Sequence, residues 1–133
     1  PVAPVLFRVC TKAYQIPDTN VVLEQGTEII IPVSAIHNDP ENYSDPEVFN
    51  PNRFTNNNYK PSKTYIPFGD GPRICIGMKF AILQIKLVMA KTLSRHTVRL
   101  SEKTKLPFVY DPKFFFLRPI GGFWFNFEKR LVL

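Results

Sequence analysis

Phe68-Gly69-Asp70-Gly71-Pro72-Arg73-Ile74-Cys75-Ile76-Gly77 is the stretch on which the reading of this sequence turns. It wraps three glycines and a proline around a single thiol. Directly after it, Met78 to about His96 holds no Pro or Gly, and Ile82, Ile85, Val88 and Met89 recur at helical spacing beside Phe80, Leu83 and Leu87. That period predicts the one long helix of the chain. The loop therefore delivers a cysteine to the mouth of a helix. There the thiol meets the positive end of the helix dipole and backbone amides that lack helical partners, and both favour the thiolate. The thiolate is the form that binds metal. Gly69, Gly71 and Gly77 let the backbone pass close to the sulfur, where a Cβ would collide.

Other readings of a glycine loop fit less well. A dinucleotide fingerprint needs glycine where Ile74 stands, and a phosphate-binding Walker loop needs Lys and then Ser or Thr after Gly77. A kinase-type loop fails on the same spacing. Zinc asks for four ligands, and one cysteine with the distant His37 and His96 does not supply them. A thiol protease needs a histidine and a third partner, which spacing leaves open. A lone thiolate does suit haem iron, which keeps the opposite axial position free for oxygen.

Upstream, Val5 to Cys10, Val21 to Leu23 and Glu28 to Ile31 read as strands of a small hairpin sheet, with a turn at Glu24 to Thr27. Asn38 or Asp39 before Pro40, and Asp45 before Pro46, place a capping side chain ahead of a proline and predict two short helix starts. Phe49 to Ser62 is rich in Asn and Pro without a period, which predicts a surface meander. Downstream, Phe114 to Leu117 and Phe123 to Phe127 read as two aromatic strands joined by a turn at Pro119 to Gly122.

The composition, 44% hydrophobic with 14% aromatic over 133 residues, is that of a globular chain. The chain opens on Pro1 inside an apolar run, which reads as a piece of a longer polypeptide. A net charge of +6 suits an acidic partner or an anionic surface as well as plain solvation. Zinc-finger spacing and long basic runs are missing, so no nucleic-acid partner is expected. Cys10 and Cys75 are read as free thiols.

The ten residues from Phe68 to Gly77 resemble the cytochrome P-450 cysteine signature, Phe-x-x-Gly-x-Arg-x-Cys-x-Gly, at every fixed position. Phe49-Asn50-Pro51-Asn52-Arg53-Phe54 is similar to that family's meander segment, Ala35 to Pro40 to the stretch before it, and Arg8 to Lys12 to its strand facing a haem propionate. The wording is most similar to animal microsomal members of the detoxifying branch, insect ones in particular. The resemblance implies a mainly α fold with small β-sheets (α+β), in its C-terminal part: β-sheet, meander, cysteine loop, long helix and C-terminal β-hairpin. Residues 1–133 would be the C-terminal haem-binding portion of one cytochrome P-450 domain whose N-terminal portion is absent.

By the same resemblance, the cofactor is haem b (iron protoporphyrin IX) and Cys75 is both its iron ligand and the catalytic residue. Phe68 packs beside the sulfur, Gly69, Gly71 and Gly77 shape the loop, and Arg73 and Arg8 pair with propionates. Arg53 supports a Glu-x-x-Arg helix pair, a motif this sequence does not contain. Val5, Leu6, Phe115 and Phe116 line the substrate pocket. Lys79 and Lys86 share a helix face that meets an acidic NADPH–cytochrome reductase. The reaction implied is insertion of one atom of O2 into a lipophilic substrate. It would take place on the cytoplasmic face of the endoplasmic reticulum membrane, through an N-terminal anchor outside this sequence; mitochondria are the alternative compartment. The rivals are a haem-thiolate isomerase or ligand-binding protein needing no reductase, and an inactive partial piece. Cys10, His37 and His96 are expected to be structural or solvated.

Overall fold

In the computed structural model, which describes residues 2–57 and 64–130, the chain forms two units, 1–69 and 70–133. In the first, β1 (Leu6–Val9) and β4 (Glu28–Ile31) pair antiparallel, with Leu6 opposite Ile31 and Arg8 opposite Ile29. Period-two alternation puts Leu6, Arg8, Ile29 and Ile31 on the half-buried face and turns Phe7, Val9 and Ile30 to solvent. A second antiparallel pair, β2 (Tyr14–Gln15) with β3 (Val22–Leu23), sits nested inside the first. The expected single hairpin sheet is thus two ribbons, one within the other.

Turn chemistry explains the nesting. The Thr19 amide donates to the Ile16 carbonyl at 3.3 Å, with Pro17 pre-setting the bend and Asp18 at φ 59° in the position that needs a left-handed residue. The turn predicted at Glu24 to Thr27 is present, closed by the Thr27 amide on the Glu24 carbonyl at 3.1 Å with Gly26 at φ 91°. Beyond it, the Cys10 amide donates to the Thr27 carbonyl at 2.9 Å and resumes the outer ladder.

A five-residue helix, α1 (Val33–His37), follows, and its Val33 is the most deeply buried side chain of the unit at 1% exposure. The two helix starts expected at Asn38/Asp39 and Asp45 are single turns instead. Asp39 does cap, its carboxylate accepting the Glu41 amide at 2.9 Å, but the turn closes at Tyr43, and Asp45 adopts φ 48°, which no helix continues. The meander carries a 3-10 helix, Pro51–Asn57, that its composition did not announce. Asn50 starts it by accepting the Asn52 amide at 3.0 Å, and Pro51 needs no amide partner at the first position. The far end of the expected meander, 58–62, lies outside the described residues.

In the second unit, α2 (Met78–Arg95) matches the predicted long helix and ends directly in β5 (His96–Leu100). β5 pairs antiparallel with β6 (Phe125–Lys129), His96 facing Lys129 and Leu100 facing Phe125. This corrects the tail: Phe123 to Phe127 does not pair with Phe114 to Leu117, and the latter is not a strand. The C-terminal hairpin runs through Tyr110 opposite Pro119, with the Asp111 amide on the Arg118 carbonyl at 2.8 Å and the Ile120 amide on the Val109 carbonyl at 2.8 Å. Phe114 to Leu117 is its tip. Thr104, 7% exposed, fastens the sheet: its hydroxyl accepts the Trp124 amide at 2.8 Å and donates to the Trp124 carbonyl at 2.9 Å.

One long helix with three two-stranded sheets makes the described residues α+β rather than mainly α. Burial is scant. Val33, Tyr43, Ile66 and Pro119 are the buried apolar side chains among the described residues, and α2 buries none of its own. The chain exposes 11754 Å². A folded monomer of 15.3 kDa exposes about 7,100 Å², and two separate domains of half that mass about 8,600 Å² together. Phe80, Leu83, Ile85, Leu87, Val88 and Met89 are all exposed along α2, apolar on more than one face. A helix with apolar residues on more than one face is built to be covered on more than one side.

Candidate functional site

The loop before α2 is organised by its own backbone. Gly71–Arg73 forms one 3-10 turn with Pro72 inside it, closed by the Ile74 amide on the Gly71 carbonyl at 3.0 Å. Gly71 at φ 71° begins that turn in the left-handed region, where any Cβ is strained. Ile74 is extended, which brings Cys75 out of the turn, and the Met78 amide on the Cys75 carbonyl at 3.2 Å starts the next one. Gly77 is the N-cap of α2, and no side chain caps that helix.

Cys75 is a free, exposed thiol two residues ahead of this N-cap. A Cβ added at Gly77 would meet its Sγ at 3.9 Å, an ordinary van der Waals contact, and one at Gly71 would meet nothing within 4 Å, so the collision expected at the sulfur does not arise at these two glycines. The amide hydrogen bonds expected at the sulfur are not made among the described residues. The first turn points its amides along the helix axis, while Cys75 sits a step outside the cap. Arg73 is exposed two residues earlier, and its guanidinium makes no hydrogen bond among the described residues. Next in line, Ile76 is fully exposed.

Gly71, Arg73, Cys75 and Gly77 thus belong to one short run of the second unit. Phe115 and Phe116 lie in the same unit on the hairpin tip, as an edge-to-face ring pair with centroids 5.4 Å apart, both half exposed. The remaining predicted residues are in the first unit. Phe68 is half-buried, and Gly69 takes φ 77° with its amide on the Ile66 carbonyl at 3.0 Å. Val5 and Leu6 are half-buried at the start of β1. Arg8 shares the inner face with Leu6, and one of its nitrogens already donates to the Phe7 carbonyl at 2.8 Å.

Arg53 does more than composition reveals. Its guanidinium donates to four main-chain carbonyls: Asn50 at 3.2 Å, Ser44 at 3.0 Å, Asp45 at 3.2 Å and Val48 at 3.0 Å. The fork fastens the whole 44–50 loop, a task its planar donors suit. His37 accepts the Ile66 amide on Nε2 at 3.1 Å and contacts the rings of Tyr65 and Tyr43. Burial, the larger cause, lowers its pKa below the usual 6.5. Both line a cleft of about 550 Å³ with Phe49, Phe54 and Tyr65. Spacing alone gave no sign of either bond set, since all the partners are main-chain atoms.

Cys10 is free and half-buried, its thiol on the Lys12 carbonyl at 2.9 Å. His96 packs edge-on to Phe127 at 6.2 Å. Among the described residues no three His, Cys, Asp or Glu side chains converge, and no helix is long and apolar enough to cross a membrane.

The Cytochrome P450 family model matches residues 1–127. The chain is 43% identical over 130 residues to a probable cytochrome P450 6a13 of Drosophila melanogaster, covering 96% of this chain and 26% of that protein. It is 40% identical over 132 residues to cytochrome P450 9e2 of Blattella germanica, covering 96% and 25%. Its similarity to cytochrome P450 6l1 of Blattella germanica is 43% over 118 residues, covering 86% and 23%. The chain spans about a quarter of the length of these curated relatives. With its cysteine loop, its long helix and these insect relatives, the chain belongs to the cytochrome P450 family.

Proposed function

We propose that this chain is the proximal, iron-ligating portion of a haem-thiolate monooxygenase. The observation that carries the reading is Cys75: free, exposed and set just ahead of α2 inside the complete cysteine signature. The residues present fit such a group. A single soft sulfur donor suits haem iron, and the Cys75 thiol is free and exposed. When bound, thiolate-ligated haem iron activates O2 for insertion of one oxygen atom into an organic substrate.

This chain's own residues bind and orient. Cys75 would supply the ligand, and Arg73, exposed and unengaged among the described residues, would hold a propionate through charge-assisted hydrogen bonds. Arg8 would serve a second propionate while keeping its bond to the Phe7 carbonyl. Phe68 would exclude water from the sulfur. Val5, Leu6, Phe115 and Phe116 would present apolar surface to a lipophilic substrate, haem b being the cofactor. Electrons would come from NADPH through a reductase at the Lys79 and Lys86 face, on the endoplasmic reticulum membrane. The bare surface of α2 supports one further statement: these residues act only as part of a larger polypeptide and are inactive alone.

The test is Cys75→Ser in the complete protein. The thiolate-type carbon monoxide difference spectrum is expected to vanish while the polypeptide stays folded. A spectrum retained by the variant would place the ligand elsewhere.

A further inference from the structure

We propose that His37 is a pH-responsive latch on the segment that leads into the cysteine loop, closed when the imidazole is neutral and released when it is protonated. The latch goes beyond the monooxygenase reading and does not depend on it.

The geometry is a short relay. His37 Nε2 accepts the amide of Ile66, a buried residue, at 3.1 Å. The Ile66 carbonyl in turn accepts the Gly69 amide at 3.0 Å, closing the turn at the head of the glycine loop. The imidazole stacks on Tyr65 at 5.7 Å and 17° and meets Tyr43 at 5.9 Å and 58°. Tyr43 Oη donates to the Thr64 carbonyl at 2.9 Å. Residues 64–66 are therefore held to α1 and its following turn by two hydrogen bonds and a ring stack.

Protonation turns this arrangement against itself. A ring nitrogen that accepts an amide proton has none of its own; once protonated it becomes a donor facing a donor. The Ile66 amide then loses its partner in a buried place, which strongly favours opening. Among the described residues, the charged groups around the ring do not cancel this. Glu47 and Arg53 line the same cleft with opposite sign. Asp39, on the adjacent turn, spends its carboxylate on the Glu41 amide and the Asn42 side chain.

Burial is the larger cause that lowers the His37 pKa from 6.5. An imidazole freed by opening titrates near 6.5, so below that value the open segment takes up a proton more readily than the closed one. Closure is complete above about pH 6.5 and is lost as the pH falls from there towards the lower, closed-state pKa.

Hydrogen exchange of the complete polypeptide that carries this chain tests the latch, read by mass spectrometry on a peptide covering residues 64–68. After correction for intrinsic rates, opening is expected to be flat from about pH 8 to 7 and to rise by up to about tenfold per pH unit below 6.5. His37→Gln keeps a side-chain acceptor without titrating, so its profile is expected to be flat throughout. A flat wild-type profile, or a His37→Gln profile that climbs like the wild type, overturns the proposal. Should that variant fold poorly, exchange of the His37 ring C2 hydrogen in the wild type decides. A titration midpoint below 6.5 sustains the latch, and one at or above 6.5 sinks it.

Discussion

Arg53→Lys is a conservative substitution by charge and a severe one by geometry. The guanidinium reaches carbonyls at 44, 45, 48 and 50, at 3.0 to 3.2 Å. An ammonium on a flexible stem reaches one of them well, so about three hydrogen bonds are lost. These carbonyls are solvent-accessible and regain water, which limits the net loss to about 0.5–1 kcal/mol each. The 44–50 loop should thus be destabilised by about 2 kcal/mol, which is roughly a thirtyfold rise in local opening. Hydrogen exchange on a peptide spanning that loop in the complete protein measures it directly, because the Val48 amide is bonded to the Asp45 carbonyl inside the clamp. Arg53→Ala should open the loop at least as far. If both variants exchange within about threefold of the wild type, the fork carries no energetic weight, and the argument from planar donors fails.

Thr104→Val keeps shape but removes the hydroxyl that serves both main-chain groups of Trp124. It should destabilise the β5–β6 ribbon by about 2 kcal/mol, whereas Thr104→Ser should stay within about 0.5 kcal/mol of the wild type. Exchange of the Trp124 amide separates the two, and equal behaviour of Val and Ser would refute the clasp. Residues 1–133 expressed alone should neither retain haem through gel filtration nor form product, given the uncovered faces of α2. Stable haem uptake with turnover by this piece would overturn that.

What the sequence disclosed follows from how local each signal is. The 78–95 helix was legible because eighteen residues without Pro or Gly carry one period, and the turn at Gly26 because a single glycine specifies it. The cysteine loop was legible as a motif, and its thiol does stand free ahead of the helix. The sheet partners were not. Phe123 to Phe127 reads as the mate of the nearest aromatic run, yet the strand that forms, Phe125–Lys129, pairs with His96–Leu100, and strand composition records no address for a distant partner. β5 itself was hidden because the helix turns into it without a loop. The Arg53 and His37 contacts were illegible for a similar reason: their partners are carbonyls and an amide, which every residue owns.

The α2–β5 corner has a consequence for how the polypeptide is made. The carbonyl of Arg95, the last residue of the helix, is taken by the Arg130 amide at 2.8 Å. The ribosome therefore releases the helix long before it releases the group that seals its end, and β5 waits equally long for β6. A stop codon anywhere between residues 101 and 124 would look like the loss of a tail. It would leave the helix behind the cysteine loop unfastened, with a five-residue strand open beside it to pair with a neighbouring chain.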